Sequence, residues 1–242
     1  MNENIRLTVT SNPPLDDHGQ PFRIRSFIRR QGRMTVAQKK ALEELWPRYG
    51  LSLNNQAMES AVVSRDIPIV LEIGFGNGES LLSMAEAHPE CDYIGIEVHL
   101  PGVGHLLHRA GELNLQNLKV YADDAIDVLH QAIKDQSLDR VQLFFPDPWH
   151  KKRHHKRRIV NAEFLKLLHQ KIKPGGQFHA ATDWEPYALE MADILKAAPG
   201  FTPTTADGSP YSERPDYRPL TKFERRGQRL GHGVWDLIWS RQ

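Results

Sequence analysis

The chain has 242 residues, 40% apolar and 25% charged, with a formal net charge of +1. That is ordinary for a globular protein with one well-filled domain and appendages, so any affinity for nucleic acid must come from segregation of charge. A single cysteine, Cys91, excludes an internal disulfide and a cysteine zinc cluster. The first dozen residues lack a basic start followed by an apolar core, and no apolar run approaches spanning length, which predicts a soluble cytoplasmic protein without a signal peptide.

Residues 1–20 are polar and read as a mobile tail. Residues 21–40 carry Arg23, Arg25, Arg29, Arg30, Arg33, Lys39 and Lys40 with no acid, and Phe22, Ile24, Phe27 and Ile28 are interleaved. This is either a solvated arm or one that orders on nucleic acid. Thr35 and Gln38 form a capping-box pattern that predicts a short helix through Leu42, Leu45 and Trp46. Residues 47–66 are expected to be irregular, linking this arm (21–66) to a main domain over 67–242.

That domain opens with the apolar, β-branched run 69–73, the pattern of a buried parallel strand. Gly74, Gly76 and Gly78 follow, and a helical pattern begins at Glu79. Strand, glycine turn and helix form the first unit of a doubly wound sheet, whose ligands bind at the carboxyl ends of the strands. The dinucleotide fingerprint requires glycine where Glu79 stands. The pattern Glu72-x-Gly74-x-Gly76-x-Gly78 instead resembles motif I of S-adenosylmethionine-dependent methyltransferases. A carboxylate beside the turn suits a cationic methionine end and would repel a pyrophosphate.

A second strand over 93–97 ends in Glu97, 21 residues beyond Gly76, where an acid can hold ribose hydroxyls. A third, over 118–121, leads to Asp123 and Asp124, either of which can cap the next helix or accept from an adenine amino group. A fourth, over 141–145, runs into Pro146-Asp147-Pro148-Trp149. Residues 150–158 then hold six Lys/Arg and three His with no acid. A solvated face would intersperse glutamates, so the run reads as an anion-binding surface. A zinc site from His150, His154 and His155 is disfavoured, because the surrounding cations oppose a dication and no acid completes the shell.

A helix over 162–171 stops at Lys173-Pro174-Gly175-Gly176. The fifth strand, 177–182, is followed by Asp183, a helix over 186–198, a short strand over 201–204 and a closing strand over 234–239. Between the last two lies an insertion, 205–233, rich in Pro, Arg and Tyr, and loops of this length are usually functional or disordered. Within it Thr221-Lys222-Phe223-Glu224 matches a second capping box.

The glycine motif, Pro146-Asp147-Pro148-Trp149 with its basic tail, and the distal Thr221-Lys222-Phe223-Glu224 together resemble the bacterial tRNA (guanine-N7-)-methyltransferase family, from about Arg25 to the end. The resemblance implies a Rossmann-like α/β sheet of the S-adenosylmethionine-dependent type with an antiparallel final strand. It implies methyl transfer to N7 of a guanosine in the tRNA variable loop. The cofactor positions implied are Glu72, Glu97, Asp124 and Asp147, with Gly74 and Gly76 in the turn. Asp124 is taken over Asp123 because the family acid directly precedes an alanine, here Ala125. Lys151, Asp183, Thr221, Lys222, Phe223 and Glu224 fall on substrate positions, and Arg153, His154, His155, Lys156, Arg157 and Arg158 on the RNA-contacting stretch. No metal is implied, and a monomer or weak homodimer is expected.

The chemistry agrees. N7 of guanine carries a free lone pair, so positioning does much of the work, and a carboxylate such as Asp147 can stabilise the positive charge that develops on the purine. N7 lies in the deep major groove of an A-form helix, so the target must be loosened or splayed. Trp149 or Tyr217 is then available to stack on exposed bases. A methyltransferase for another RNA, a small molecule or a protein, and a non-catalytic RNA-binding module, are the rival readings. A small-molecule or protein methyltransferase explains the glycine motif but leaves the basic loop unexplained; the non-catalytic module leaves Glu72, Glu97 and Asp124 unexplained.

Overall fold

The computed structural model of the chain describes residues 25–27, 33–53, 67–220, 224 and 233–242. The polar tail over 1–20 therefore lies outside the described residues, as do 221–223. One sheet organises the rest. In chain order the elements are α1 (Val36–Tyr49), β1 (Gly50–Leu51), β2 (Ile69–Ile73), α2 (Glu79–Ala87), β3 (Asp92–Ile96), α3 (Leu100–Glu112), β4 (Leu118–Tyr121), α4 (Ala125–Gln131), β5 (Leu138–Phe144), a 3₁₀ helix (Lys152–Arg157), α5 (Ala162–Lys171), β6 (Ile172–Thr182), α6 (Glu185–Ala197), β7 (Phe201–Pro203) and β8 (Trp235–Arg241).

The sheet order is β1-β4-β3-β2-β5-β6-β8-β7. Pairing is parallel from β1 through β6, while β8 runs antiparallel to both β6 and β7. The doubly wound sheet with an antiparallel final strand is thus observed. Val70, Tyr93 and Val120 pack beneath α1, α2 and α3 on one face. Leu71, Ile94, Val141 and Phe178 pack beneath α4, α5 and α6 on the other. Burial on both sides explains why Ile69–Ile73 and Asp92–Ile96 are buried at every position. The winding reverses between β2 and β5, and a crevice opens at such a switch point.

Three local departures have physical causes. Helix α1 carries the Thr35–Gln38 capping box but passes through Pro47 to Tyr49, so 47–51 is not irregular. Tyr49, buried, donates its O–H toward the carbonyls of Ala110 and Leu115 at 3.0 and 3.1 Å, and Arg48 donates to Asn114 and Leu115. Those tertiary bonds hold the last turn that a proline would otherwise weaken. The chain then adds the edge strand β1 against Val120 and Tyr121. Strand β6 begins at Ile172 rather than 177. Its register jumps from Leu138↔Ile172 to Arg140↔Gln177, so Lys173, Pro174, Gly175 and Gly176 bulge out of an otherwise continuous strand.

Asn117, buried ahead of β4, closes the carboxyl end of α2. Its amide donates to the carbonyls of Ala85 (2.9 Å), His88 (3.2 Å) and Cys91 (3.0 Å). Asn117→Ala strands buried carbonyls and should destabilise the chain by about 1–3 kcal/mol. A denaturant midpoint equal to that of the parent chain would show that water replaces the amide without loss.

Candidate active site

At the switch point lies a cleft of about 240 Å³ lined by Gly74, Glu97, Asp123, Phe144, Phe145 and Asp147, with Ser26 and Phe27 of the N-terminal arm on one side. The ends of β2, β3, β4 and β5 all contribute, as expected for a ligand site in this type of sheet. A second, larger groove of about 830 Å³ adjoins it, sharing Ser26 and Ile159 and lined by Lys156, Arg157 and Lys166.

The glycine turn leaves β2 with Gly74 at φ 74° and Gly76 at φ 60°, conformations that L side chains rarely adopt. A Cβ at either position would meet nothing within 4 Å, so the space beside this backbone is open. Glu97 faces the turn. Its Oε2 accepts the Gly76 N–H at 2.8 Å, and its Oε1 accepts the N–H groups of Val98 and His99 at 2.7 and 2.9 Å.

Glu72 lies beneath, 2% exposed, and its Oε2 has no hydrogen-bond partner. Burial first, and the neighbouring Glu97 second, push its carboxyl up to about 8. Its register partner on β5, Gln142, is fully buried with both amide atoms unpartnered. Asp124, buried, is the N-cap of α4 and accepts the Ile126 N–H at 2.9 Å. It lines the larger groove, whereas Asp123 lines the cleft itself.

Asp147 is exposed at the end of β5. Phe145 and Trp149 on either side of it sit at φ 50° and 48°, an uncommon backbone for such residues. The Phe145 N–H donates to the Ala181 carbonyl at 2.7 Å, and Trp149 Nε1 donates to the Ser26 carbonyl at 3.2 Å. His150 packs edge-on against Trp184, ring centroids 4.4 Å apart. That contact ties the loop carrying Asp147 and Lys151 to the turn carrying Asp183, and both Lys151 and Asp183 are exposed. His154 packs instead against Trp149 at 5.9 Å, so the histidines of the run have different aromatic partners.

The basic run divides. Lys151, Lys152, Arg153 and Lys156 are exposed. Partial desolvation, then Arg153, Arg157, Lys151 and Lys156, lower the His154 imidazole and favour its neutral form. Arg157 lies over the Trp149 ring at 5.2 Å. Arg158 departs from the expectation that it contacts RNA. It is 4% exposed, ion-paired with Glu190, donates to the Pro148 carbonyl at 2.9 Å and stacks over Tyr187. The closing turn of the 3₁₀ helix points it inward, where it supports the loop.

Tyr217 is likewise not free to stack on a base. Arg140 covers its ring at 3.8 Å, and its hydroxyl contacts His179 Nδ1 at 2.9 Å. Thr221, Lys222 and Phe223 lie outside the described residues. Glu224 is 3% exposed, and both its oxygens accept from Arg218 at 2.8 Å. Arg218, His179, Asp236 and Gln142 escape a motif-based reading of the sequence. Gln142, His179 and Asp236 are signalled only as polar residues within strands, and Arg218, between β7 and β8, has no such signal.

The protein family described as a putative methyltransferase matches residues 66–237. A tRNA (guanine-N(7)-)-methyltransferase of Hydrogenovibrio crunogenus is 52% identical over 242 residues, covering 100% of both chains. Proteins of the same name from Shewanella amazonensis and Pseudomonas putida are 58% and 54% identical, covering 90% and 100% of this chain and 92% and 99% of theirs. In fold alone, the chain resembles the 16S rRNA methyltransferase KamB (TM-score 0.53, 16% identity, 91% of this chain and 99% of that one). It also resembles the aminoglycoside resistance methyltransferase NpmB1 (TM-score 0.51, 16% identity, 87% and 95%). With a family match over most of its length and relatives more than half identical from end to end, the chain belongs to the tRNA (guanine-N7-)-methyltransferase family.

Proposed function

We propose that this chain transfers the methyl group of S-adenosylmethionine to N7 of a guanosine in the variable loop of tRNA, in the cytoplasm. The observation that carries the reading is one juxtaposition. A glycine turn open to a ligand and the exposed carboxylate of Asp147 share a single cleft, and an exposed cationic run begins four residues beyond Asp147. Incubating bulk tRNA with labelled cofactor and analysing the nucleosides tests it: label in 7-methylguanosine is expected, and label in any other nucleoside sinks it.

The residues fit the cofactor. The partnerless Oε2 of buried Glu72 offers an acceptor to an ammonium, Gly74 and Gly76 leave room for close approach, and Glu97 stands where ribose hydroxyls would be held. Asp124 keeps its family position, although its carboxylate already caps α4; Asp123 is the acid that faces the cleft. When bound, S-adenosylmethionine supplies a methyl group activated by its sulfonium.

The chain's own part is to orient and to stabilise. N7 has no proton to lose, so no general base is required, and Asp147 and Asp183, at the ends of the adjacent strands β5 and β6, place carboxylates where the purine gains positive charge. Lys151 can hold a phosphate or a base edge, and Arg153, His154, His155, Lys156 and Arg157 track the backbone of the RNA. Thr221, Lys222 and Phe223 complete the substrate side by family position.

Cofactor affinity should depend on pH through Glu72. Burial holds its carboxyl up to about 8, so it is largely protonated below that value, and a cationic ligand favours the ionised form. Affinity should therefore rise as pH increases toward that value, with about one proton released on binding near pH 6.5, where the cofactor's own amino group, with an ordinary pKa of about 7.7–8.0, stays charged. Calorimetry in two buffers of different ionisation enthalpy reads the proton directly. Equal heats in both would mean that binding moves no proton at Glu72 and would overturn this coupling.

Replacing Lys152, Arg153 and Lys156 together by Ala should weaken tRNA binding and flatten its salt dependence by about two units of slope, because fewer counterions are released. Cofactor affinity should survive, and an unaltered slope would make this run a solvated surface. Asp147→Asn keeps shape while deleting charge. Single-turnover transfer at saturating tRNA and cofactor should fall on the order of 10²-fold, comparable to losing one preorganised donor of an oxyanion hole. Near-normal transfer would leave Asp147 a positioning residue.

A further inference from the structure

A buried polar cluster stands behind the cleft rather than in it. Its centre is Arg218, 1% exposed, on the segment between β7 and β8. Nη1 and Nη2 donate to the two oxygens of Glu224, each at 2.8 Å. Nη2 also donates to Asp236 Oδ2 at 2.9 Å, while Nε lies 2.7 Å from Oδ1 at an angle too bent for a hydrogen bond. Burial alone would lower the guanidinium, but Glu224 and Asp236 more than offset it and hold the group above its ordinary value.

The cluster continues into the sheet. His179 on β6, fully buried, contacts Asp236 Oδ1 through Nε2 at 2.7 Å and the Tyr217 hydroxyl through Nδ1 at 2.9 Å. Burial lowers its imidazole, with Asp236 opposing, and the neutral tautomer that satisfies both partners carries its proton on Nε2. Arg140 covers Tyr217. One guanidinium, that of Arg218, thus stands between two buried carboxylates.

Burying this many charged groups is not an efficient way to stabilise a fold, since apolar residues of the same volume often serve as well. What the cluster touches suggests another use. The Arg218 guanidinium lies 5.9 and 5.7 Å from the ring centroids of Phe144 and Phe145. Both rings wall the cleft, and Asp147 follows two residues later. One planar group therefore contacts the strand end that carries Asp147 and also the residue that closes the substrate stretch 221–224.

We propose that Arg218 is a positioning residue for methyl transfer: it holds Glu224 and Asp236 against the Phe144–Phe145 end of β5, and so fixes the strand end that carries Asp147. Glu224 enters this assembly as the partner of Arg218. The inference rests on the methyl-transfer reading above.

A double-mutant cycle on single-turnover transfer tests it, using Arg218→Met, Glu224→Met and the pair at saturating tRNA and cofactor. Rates are taken per folded molecule from melting curves, and cofactor affinity is measured by calorimetry. Each single variant should slow transfer on the order of 10²-fold, the scale for a misplacement of about an ångström, with cofactor affinity retained. The double variant should be no slower than either single. Effects that multiply would overturn the proposal, because the two residues would then act separately and not through one assembly. An unchanged rate per folded molecule would also overturn it, leaving Arg218 a stabiliser only. Should the Met variants fail to fold, Arg218→Lys keeps the charge but cannot reproduce the planar fork. It should slow transfer without changing cofactor affinity or the KM for tRNA, and a parental rate would overturn the proposal. A parent chain that transfers no methyl group in the same assay would overturn the reading itself, and this inference with it.

Discussion

Three backbone N–H groups converge on one carboxylate, and one wall of the cleft is built around that convergence. Glu97 takes the Gly76 N–H from the turn after β2 and those of Val98 and His99 from the turn after β3. The Gly74 N–H meanwhile donates to the Ile96 carbonyl at 2.8 Å. On the far side, Gly102 of α3 lies so close to the turn that a methyl group there would come within 2.1 Å of the Gly76 carbonyl. The two turns are therefore one rigid piece, formed on folding. A ligand that uses it has little ordering left to do, which is how preorganisation raises affinity without new contacts.

Below that piece the sheet carries a polar row. Glu72, Gln142 and His179 are register partners across β2, β5 and β6, so their side chains share one face. The row is satisfied unevenly. His179 is closed by Asp236 and Tyr217, whereas Glu72 Oε2 and the Gln142 amide have no partner. An unpaired buried polar group costs about 1–3 kcal/mol, and such a loss is tolerated where a ligand removes it. The unevenness tells the two ends apart: the β6 end is closed by Asp236 and Tyr217, and the β2 end keeps buried polar atoms without a partner.

Much of the sheet was legible because its signals are local. The run 69–73 is apolar and β-branched and is observed as β2 with the same limits, and the helix over 162–171 matches α5 likewise. What could not be read depends on distant partners. Gly50–Leu51 is a strand only because β4 lies beside it, and Lys173 to Gly176 bulge because Asp139 opposes them. Arg158 has the same sequence context as Arg157, yet Glu190, 32 residues away, draws it inward. Glu224 fits a capping box by spacing, but Arg218 occupies both its oxygens. In each case residue type is written locally, and side-chain direction is decided by a residue far along the chain.

The stretch Pro146-Asp147-Pro148-Trp149 shows how a motif becomes a constraint. Proline fixes its own φ and restricts the residue before it, so Asp147, between two prolines, has little backbone freedom. The left-handed residues Phe145 and Trp149 bracket it, each a conformation of the kind that costs about 1–3 kcal/mol and persists only where its surroundings over-determine it. Those surroundings are present on both sides. Ala181 takes the Phe145 N–H at the entry, Ser26 takes the Trp149 ring N–H at the exit, and Arg157 covers the indole. A carboxylate on an unrestrained loop would have to be ordered each time a substrate arrived, at an entropic cost that would appear in the rate. Here the ordering is done once, on folding. Trp149 thus anchors the loop through its ring N–H and its covered indole face.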